Sequence, residues 1–586
     1  MKRTKILSLA AAAIALTFAA CTKEATTSGE VITPDMATSY AKIKISMAGG
    51  SMTRAWGDDA NMTAGTADEA KVSSVHLVLY DASGYAVGTG EIVSDDISGV
   101  DANPTLQDKN NVSDKYEGVI FKLSLTPGAE KPTGVVAYVN TDKAPTVDLA
   151  TANETIEVDK LHKNKKEFVM TSAGYYKGSD WTIAAPLDPD FIYTTQSGAA
   201  TGTLATTIYV ERLAAKVAVD DSVVKDEESL RTVDDEVYYI TNVAGDEVSL
   251  VFDAKNWGTT GTAKSEYLLK QKFNNSEPTW MNKEANNRSF WAEGVNYNKA
   301  YEEYMPAGGT RLLNYISYNA AKNAFGTDNA NYEYIAEHTY DFAARALEAN
   351  FSPKVTATSI IVLGEYAVKK DGTAVDYEGG FFVVRKGMSE EGQSRIVIYS
   401  EKELMVELAN RNYVYADDQG TPFTTEDVAD NFKLVVPADT KWTIAALDDA
   451  TIYVENPDST GDDDKYIEKA DADLSNSIPA SHYVNGLAYF YQPIEHYSAG
   501  TGQDGYEGLY GIVRNHAYVL TINSITSLGA PIDDKHAPKD DDDPDNPGPD
   551  PGDEPIEPNP DDLKDAYINA TLNVLSWHVV SQGVDL

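Results

Sequence analysis

Cysteine is all but missing: the 586 residues contain one, Cys21. That excludes a disulfide framework and a zinc site built on cysteines. Positive charge is scarce too. Lys and Arg number 48 against 91 Asp and Glu, leaving a formal net charge of −43 at pH 7. A phosphate backbone or an anionic bilayer is bound through cations, so nucleic acid is excluded as a natural partner. Beyond the first twenty residues no apolar run reaches the roughly 18 residues that a spanning helix needs. Phenylalanine (15) is outnumbered by tyrosine (35), which suits sheets with half-wet faces. No HExxH, P-loop or strand-to-helix GxSxG is found, so no common hydrolase site is signalled. His482, His496 and His516 fall in one region and could meet at a metal; as strand and loop hydrogen-bonders they are the simpler reading. No metal or cofactor is expected. The acidic run Asp458–Asp464 has Asp463 where a calcium-binding EF-hand loop requires glycine, so it reads as solvated charge.

What is present begins with a leader. Lys2, Arg3 and Lys5 precede a largely apolar stretch, Ile6 to Ala20, that ends in small residues before Cys21. This resembles a bacterial lipobox, in which the thiol is acylated and the chain is cut just before it. An ordinary signal peptide with an incidental cysteine is the alternative. The position of the sole thiol favours lipidation. Thr22 to Ser39 is polar and reads as a tether.

Strand signals follow. Ala41, Ile43, Ile45 and Met47 alternate with Lys42, Lys44 and Ser46, the pattern of a half-buried strand. Short β segments recur at Val72–Asp81, Val119–Leu125 and Gly134–Asn140, between turn-forming clusters. The run Thr206–Val219 is the longest of the first half, and a domain boundary is expected just before it, between residues 203 and 204. Residues 280–350 differ in texture. Phe342–Asn350 has helix-forming composition, so a partly helical insertion is expected there, and Glu401–Arg411 reads as a short helix. Strands resume up to Gly511–Ile525. Residues 537–562 are almost wholly Asp, Glu, Pro, Asn and Gly, a linker expected to bury nothing.

An apolar strand stands beyond that linker. Ile568, Ala570, Leu572 and Val574 share one phase; Leu575, Trp577 and Val579 share the other, so a bulge or a break into two strands is expected near Val574–Leu575. At about 3.1 Å per residue, a linker of about 25 residues reaches roughly 75 Å. The tail could therefore enter a neighbouring molecule. If cleavage between Arg54 and Ala55 removed Ala41–Met47, a groove with unpaired edges would open to receive it. Equally, both strands could belong to one fold. Periodicity alone does not choose between these.

Further motifs resemble the fimbrillins of Bacteroidales type V pili, in particular the short-fimbria (minor fimbrillin) shaft subunits. They are the lipobox; Ser51-Met-Thr-Arg54-Ala55-Trp-Gly-Asp58, similar to that family's processing site; Val210–Ala218, similar to its domain-joining strand; and Glu337-His338-Thr339, with His338 where the family has Asn. Most specific are Tyr483-Val-Asn-Gly486, Tyr489–His496 and Tyr510–Tyr518, then the ending Leu572–Trp577 and Val584-Asp585-Leu586. The resemblance implies an all-β chain of two transthyretin-like β-sandwich domains. It divides into a leader (1–21), a removable segment (22–54), an N-terminal domain (55–203), a C-terminal domain (204–536) with the insertion, the linker (537–562) and a donor strand (563–586). It implies a structural, non-enzymatic shaft subunit, anchored by lipid to the outer membrane, cut by an Arg-specific protease and polymerised head to tail. Implied partners are copies of itself, accessory tip and anchor pilins, and host or bacterial surface receptors. A surface glycan-binding lipoprotein is the competing reading, prompted by the many Tyr and seven Trp.

Overall fold

A computed structural model describes residues 37–47, 62–63, 66, 68–93, 118–142, 144–177, 180–220, 228–229, 238–272, 291–304, 310–339, 356–388, 392–435, 441–469, 476–496, 510–525, 527–533, 535–539, 550–556 and 569–577. Cys21, Arg54, Ala55, Ile568, Val579 and the helix expected at Phe342–Asn350 lie outside them.

The fold is all-β. In the first half the strands are β1 (Ala37–Met47), the short β2 (Met62–Thr63), β3 (Val75–Tyr80), β4 (Ala86–Ile92), β5 (Val119–Leu125), β6 (Gly134–Val139), β7 (Met170–Ser172) and β8 (Leu204–Arg212). All but β2 lie side by side in the order β6-β3-β4-β5-β1-β8-β7, and β7 pairs back onto β6, which closes the ladder. Ile43, Leu77, Phe121, Val136 and Ile208 meet inside it in one core. The β3–β4 turn shows why its residues are polar and small. Asp81 accepts from the backbone of Ser83 and Tyr85, and Gly84 takes a positive φ of 83°.

The second half holds β9 (Ala215–Asp220), β10 (Ser249–Thr260), β11 (Ser359–Lys370), β12 (Gly380–Met388), β13 (Ser394–Tyr399), β14 (Leu487–Pro493), β15 (His516–Ser524) and β16 (Asn569–Trp577). One sheet runs β2-β16-β15-β9 and on to Glu333–Ile335. Facing it are a sheet centred on β10-β11-β14 and a smaller one containing β12 and β13. Val217, Leu520 and Ile522 from the first pack on Phe252, Val362, Phe490, Val383 and Ile398 from the others. The result is sheet on sheet over a single core.

The passage from the first core to the second is at Leu213–Ala214. Both residues pack with the first core, and Ala215 with the second. It was expected between 203 and 204. The β-branched run that marked a new domain is the last strand of one sheet continuing into the first strand of the next.

A third, smaller core sits outside β12 and β13. It is built on α1 (Glu401–Arg411) and α2 (Thr425–Ala429), with Leu404, Leu408, Val428, Trp442 and Ile444 packed on Phe382 and Val384. Ser400 caps α1 in a reciprocal box with Glu403. The extra module is thus at 400–480. The described part of 280–350 is mostly irregular, with one helix of four residues, Tyr301–Tyr304. Its buried Trp291 and Tyr304 lie beside His496 and His338. Part of the acidic linker is also folded. Asp550 accepts from Lys539 N, Gly552 N and Asn319 Nδ2, while Ile556 is buried and its N–H donates to Ile316.

Candidate functional site

Three features stand out: the seat of β1, the seat of β16, and a buried set of charges between the two cores. β1 is an interior strand. It pairs antiparallel with β5 (Ala41 with Phe121, Ile43 with Val119) and parallel with β8 (Ile45 with Ile208, Met47 with Val210). Ile192 also pairs with Ala41. Ala41 and Ile43 are fully buried and Ile45 nearly so, whereas Lys42, Lys44 and Ser46 are half-exposed. The period-2 pattern read from sequence therefore faces the first core. Taking β1 out would leave β5 and β8 with unpaired edges around an apolar slot.

β16 lies in its own chain's second sheet. It pairs antiparallel with β15 along its length, Leu572 opposite Leu520 and Val574 opposite Tyr518. On its other side, among the described residues, Ser576 and Trp577 alone are paired, to Met62 and Thr63 of β2. Ala570 and Leu572 are half-buried against the second core. No break occurs at Val574–Leu575. The strand is continuous, and the irregularity lies opposite its start, between Ile522 and Ser524. A change of apolar phase needs no break because β15 is covered on both faces. Its Tyr518 packs into the second core, while Ala517, the partner of Leu575, packs with the first.

Between the cores four carboxylates (Glu69, Glu211, Glu266, Glu337) and four cations (Arg212, Lys216, Lys270, Arg514) are each no more than 5% exposed. Lys216 Nζ donates to Glu69 Oε1 at 3.2 Å, and Tyr334 Oη donates to the same oxygen at 2.7 Å. Arg212 donates from Nε to the Glu69 carbonyl (2.9 Å) and from Nη1 to Asn515 Oδ1 (3.2 Å), tying the first half to the turn before β15. Arg514 donates to Glu337 Oε2 from Nη2 (2.9 Å) and Nε (3.1 Å), and to the Tyr267 carbonyl (2.8 Å). Its Nη2 lies 3.5 Å from Glu266. Lys270 pairs with Glu211 at 2.8 Å. Burial pushes Glu266 up to about 8; Arg514 opposes this and Glu337 adds to it. Burial likewise pushes Lys216 down to about 8 against the pull of Glu69. Buried charges persist when paired and hydrogen-bonded. Here each group answers another, which makes a joint between two cores rather than a reactive centre. Sequence reading passed over Glu69, Glu266 and Lys270. The available signal was charge inside apolar runs, as at Glu211, Arg212 and Lys216.

The three histidines do not converge: His496 and His516 meet edge to face with ring centroids 5.3 Å apart, but His482 lies elsewhere. His482 stacks on Phe382 (centroids 4.1 Å apart) beside Trp442 in the third core. His496 Nδ1 lies 2.9 Å from Tyr518 Oη, and His516 donates from Nδ1 to the Arg514 carbonyl.

Residues 481–583 match the family described as "Major fimbrial subunit protein type IV, Fimbrillin, C-terminal". No curated protein sequence matches the chain. Among solved structures, similarity is found to a fimbrilin from Porphyromonas gingivalis at 14% identity and a TM-score of 0.34, covering 94% of this chain and 100% of that one. A candidate cell adhesion protein from Parabacteroides distasonis matches at 12% identity and 0.33, over 94% and 99% of the two chains. The tip fimbrial protein of Porphyromonas gingivalis, truncated at its C-terminus, matches at 10% identity and 0.24, over 78% and 90%.

Proposed function

We propose that this chain, a fimbrillin by the family of its C-terminal region, is a structural subunit of the shaft of a cell-surface fimbria. It is exported as a lipoprotein acylated at Cys21 and carried to the outer membrane. An Arg-specific protease cuts between Arg54 and Ala55, and the subunits join head to tail through the C-terminal strand. Its partners are further copies of itself and the tip and anchor pilins of the same fibre. The role is adhesive and structural, with no catalytic step.

The observation that carries this reading is the seat of β1. A strand interior to its sheet, and buried on one face, lies upstream of the expected cleavage site. It is joined to β8 by parallel pairing, so it can leave without unthreading a hairpin. A terminal strand of similar length waits at the other end of the chain. A head-to-tail contact of this kind is heterologous and extends into a filament. The glycan-binding alternative fares worse, because Trp257, Trp291 and Trp442 are buried and cannot form a sugar platform.

The test is negative-stain electron microscopy of the precursor and of Arg54→Ala after treatment with an Arg-specific protease. Fibres are expected from the first and none from the second. Fibres of Arg54→Ala with its N-terminal segment intact would overturn the reading.

A further inference from the structure

The seat of β1 is not uniform along its length. At Ala41 it holds a methyl group, fully buried, with Phe121 opposite on β5 and Ile192 on the third strand paired there. At Ile43 and Ile45 it takes branched aliphatic side chains, facing Val119, Thr206 and Ile208. Small, then aliphatic, then aliphatic, at every second residue, is the rule for any strand that replaces β1. Along β16 the same order occurs once: Ala570, Leu572, Val574. The other phase, Leu575 and Trp577, offers large side chains where β1 has a methyl group.

Resting on the strand-exchange reading above, we infer that a second copy's β16 enters this seat in one register. It runs in the direction of β1, with Ala570 at the place of Ala41, Leu572 at Ile43 and Val574 at Ile45. Thr571 and Asn573 then take the half-exposed places of Lys42 and Lys44. The same residues hold β16 to its own β15, since Ala570 and Leu572 pack on the second core there. One tail therefore serves either its own sheet or a neighbour's slot, never both.

Two places treat residue 570 differently, and this separates binding from folding. In its own sheet Ala570 is half-exposed. In the neighbour's slot the corresponding position, that of Ala41, is fully buried. Ala570→Leu should therefore leave the melting temperature of the precursor within about two degrees of the parent, yet slow fibre growth at least about tenfold after processing. Val574→Ile, a match to Ile45, should leave growth unchanged. Growth of Ala570→Leu at the parent rate would overturn the register.

Register is read directly by cross-linking in the full-length chain, whose one cysteine lies in the leader removed on processing. Lys42 pairs with Ile120 and Tyr40 with Lys122. Fibres of Ile120→Cys/Thr571→Cys, oxidised after assembly, should give a detergent-resistant ladder of oligomers. Lys122→Cys/Asn569→Cys should do the same, and Ile120→Cys/Asn573→Cys should not. A ladder from the last pair alone moves the register by two residues and leaves strand exchange standing. Fibres without an interchain bond from any pair would overturn strand exchange through this tail.

Discussion

Glu266 sets a pH dependence that can be isolated by one atom. Its carboxyl is buried beside Glu337, with Arg514 Nη2 at 3.5 Å as its cation; Oε2 accepts from Glu337 N at 3.1 Å. Among the described residues Oε1 takes no hydrogen bond. Burial raises the group from an ordinary 4.5 to about 8. A raised carboxyl binds its proton more tightly in the folded state, so its contribution is fully present below pH 4.5 and is lost as pH rises through 8. Between these limits stability falls by about 1.4 kcal/mol per pH unit from this group, about 5 kcal/mol in all. His516 acts in the opposite sense. Burial holds it down to about 4 from 6.5, so its contribution is present above 6.5 and is lost as pH falls through 4. The two nearly cancel below pH 6.5, and the fall from Glu266 emerges between 6.5 and 8. Glu266→Gln keeps the shape and removes the titration. Urea unfolding at half-unit steps from pH 5 to 9 should show the variant gaining on the parent by about 1.4 kcal/mol per unit up to pH 8. A difference between the two that does not change with pH would refute the assignment of the raised carboxyl to Glu266.

Truncation after Asp562 should give a processed monomer that stays folded and caps growing fibres, because Tyr518, Leu520 and Ile522 keep their core partners without β16. A collapse of the melting temperature with no capping in a growth assay would count against that. In the third core, Leu404→Ala should cost about 2–5 kcal/mol, the range for a fully buried leucine. Hydrogen exchange should rise across 401–446 and stay level in the first sheet, which shares no core with it.

Much of the fold was legible where a single face is buried. Ala41, Ile43 and Ile45 announce β1 by alternation, and the helix read at Glu401–Arg411 coincides with α1. Legibility failed where both faces of a strand are covered. β8 and β9 read as one new element because apolar residues line both sides, and the tail's change of phase suggested a break that double cover makes unnecessary. The third core was missed because its residues are gathered from β12, β13 and several short segments between Leu404 and Ala480. The joint was missed for a different reason. A buried carboxylate looks like a surface one until its cation is known, and the partner of Glu69 lies at Lys216, far along the chain. Asp550–Ile556 misled by composition: its Ile556 side chain joins a core with Ile532 and Ala537, while Asp550 and the Gly552 carbonyl fasten the segment to Asn319.

The two terminal strands differ in how fully they are paired, and on the proposed function that difference would give assembly a direction. β1 has a ladder on both sides over most of its length and its apolar face is sealed. Among the described residues β16 has one full ladder and two paired residues on its other side, and its Ala570 and Leu572 are half-buried. A net ladder hydrogen bond contributes about 0.5–1.5 kcal/mol, and closing an aliphatic side chain from water adds about 1.5–3 kcal/mol. While β1 is in place, a foreign tail has nothing to gain, because the better seat is filled by a strand of the same chain. Once β1 is gone, a tail that leaves its own β15 for a neighbour's slot exchanges one ladder for two and half cover for full cover. On the proposed function, the better fit of its own first strand would keep the precursor monomeric. A cut upstream of Ala55 would make polymerisation downhill without any other change in the molecule.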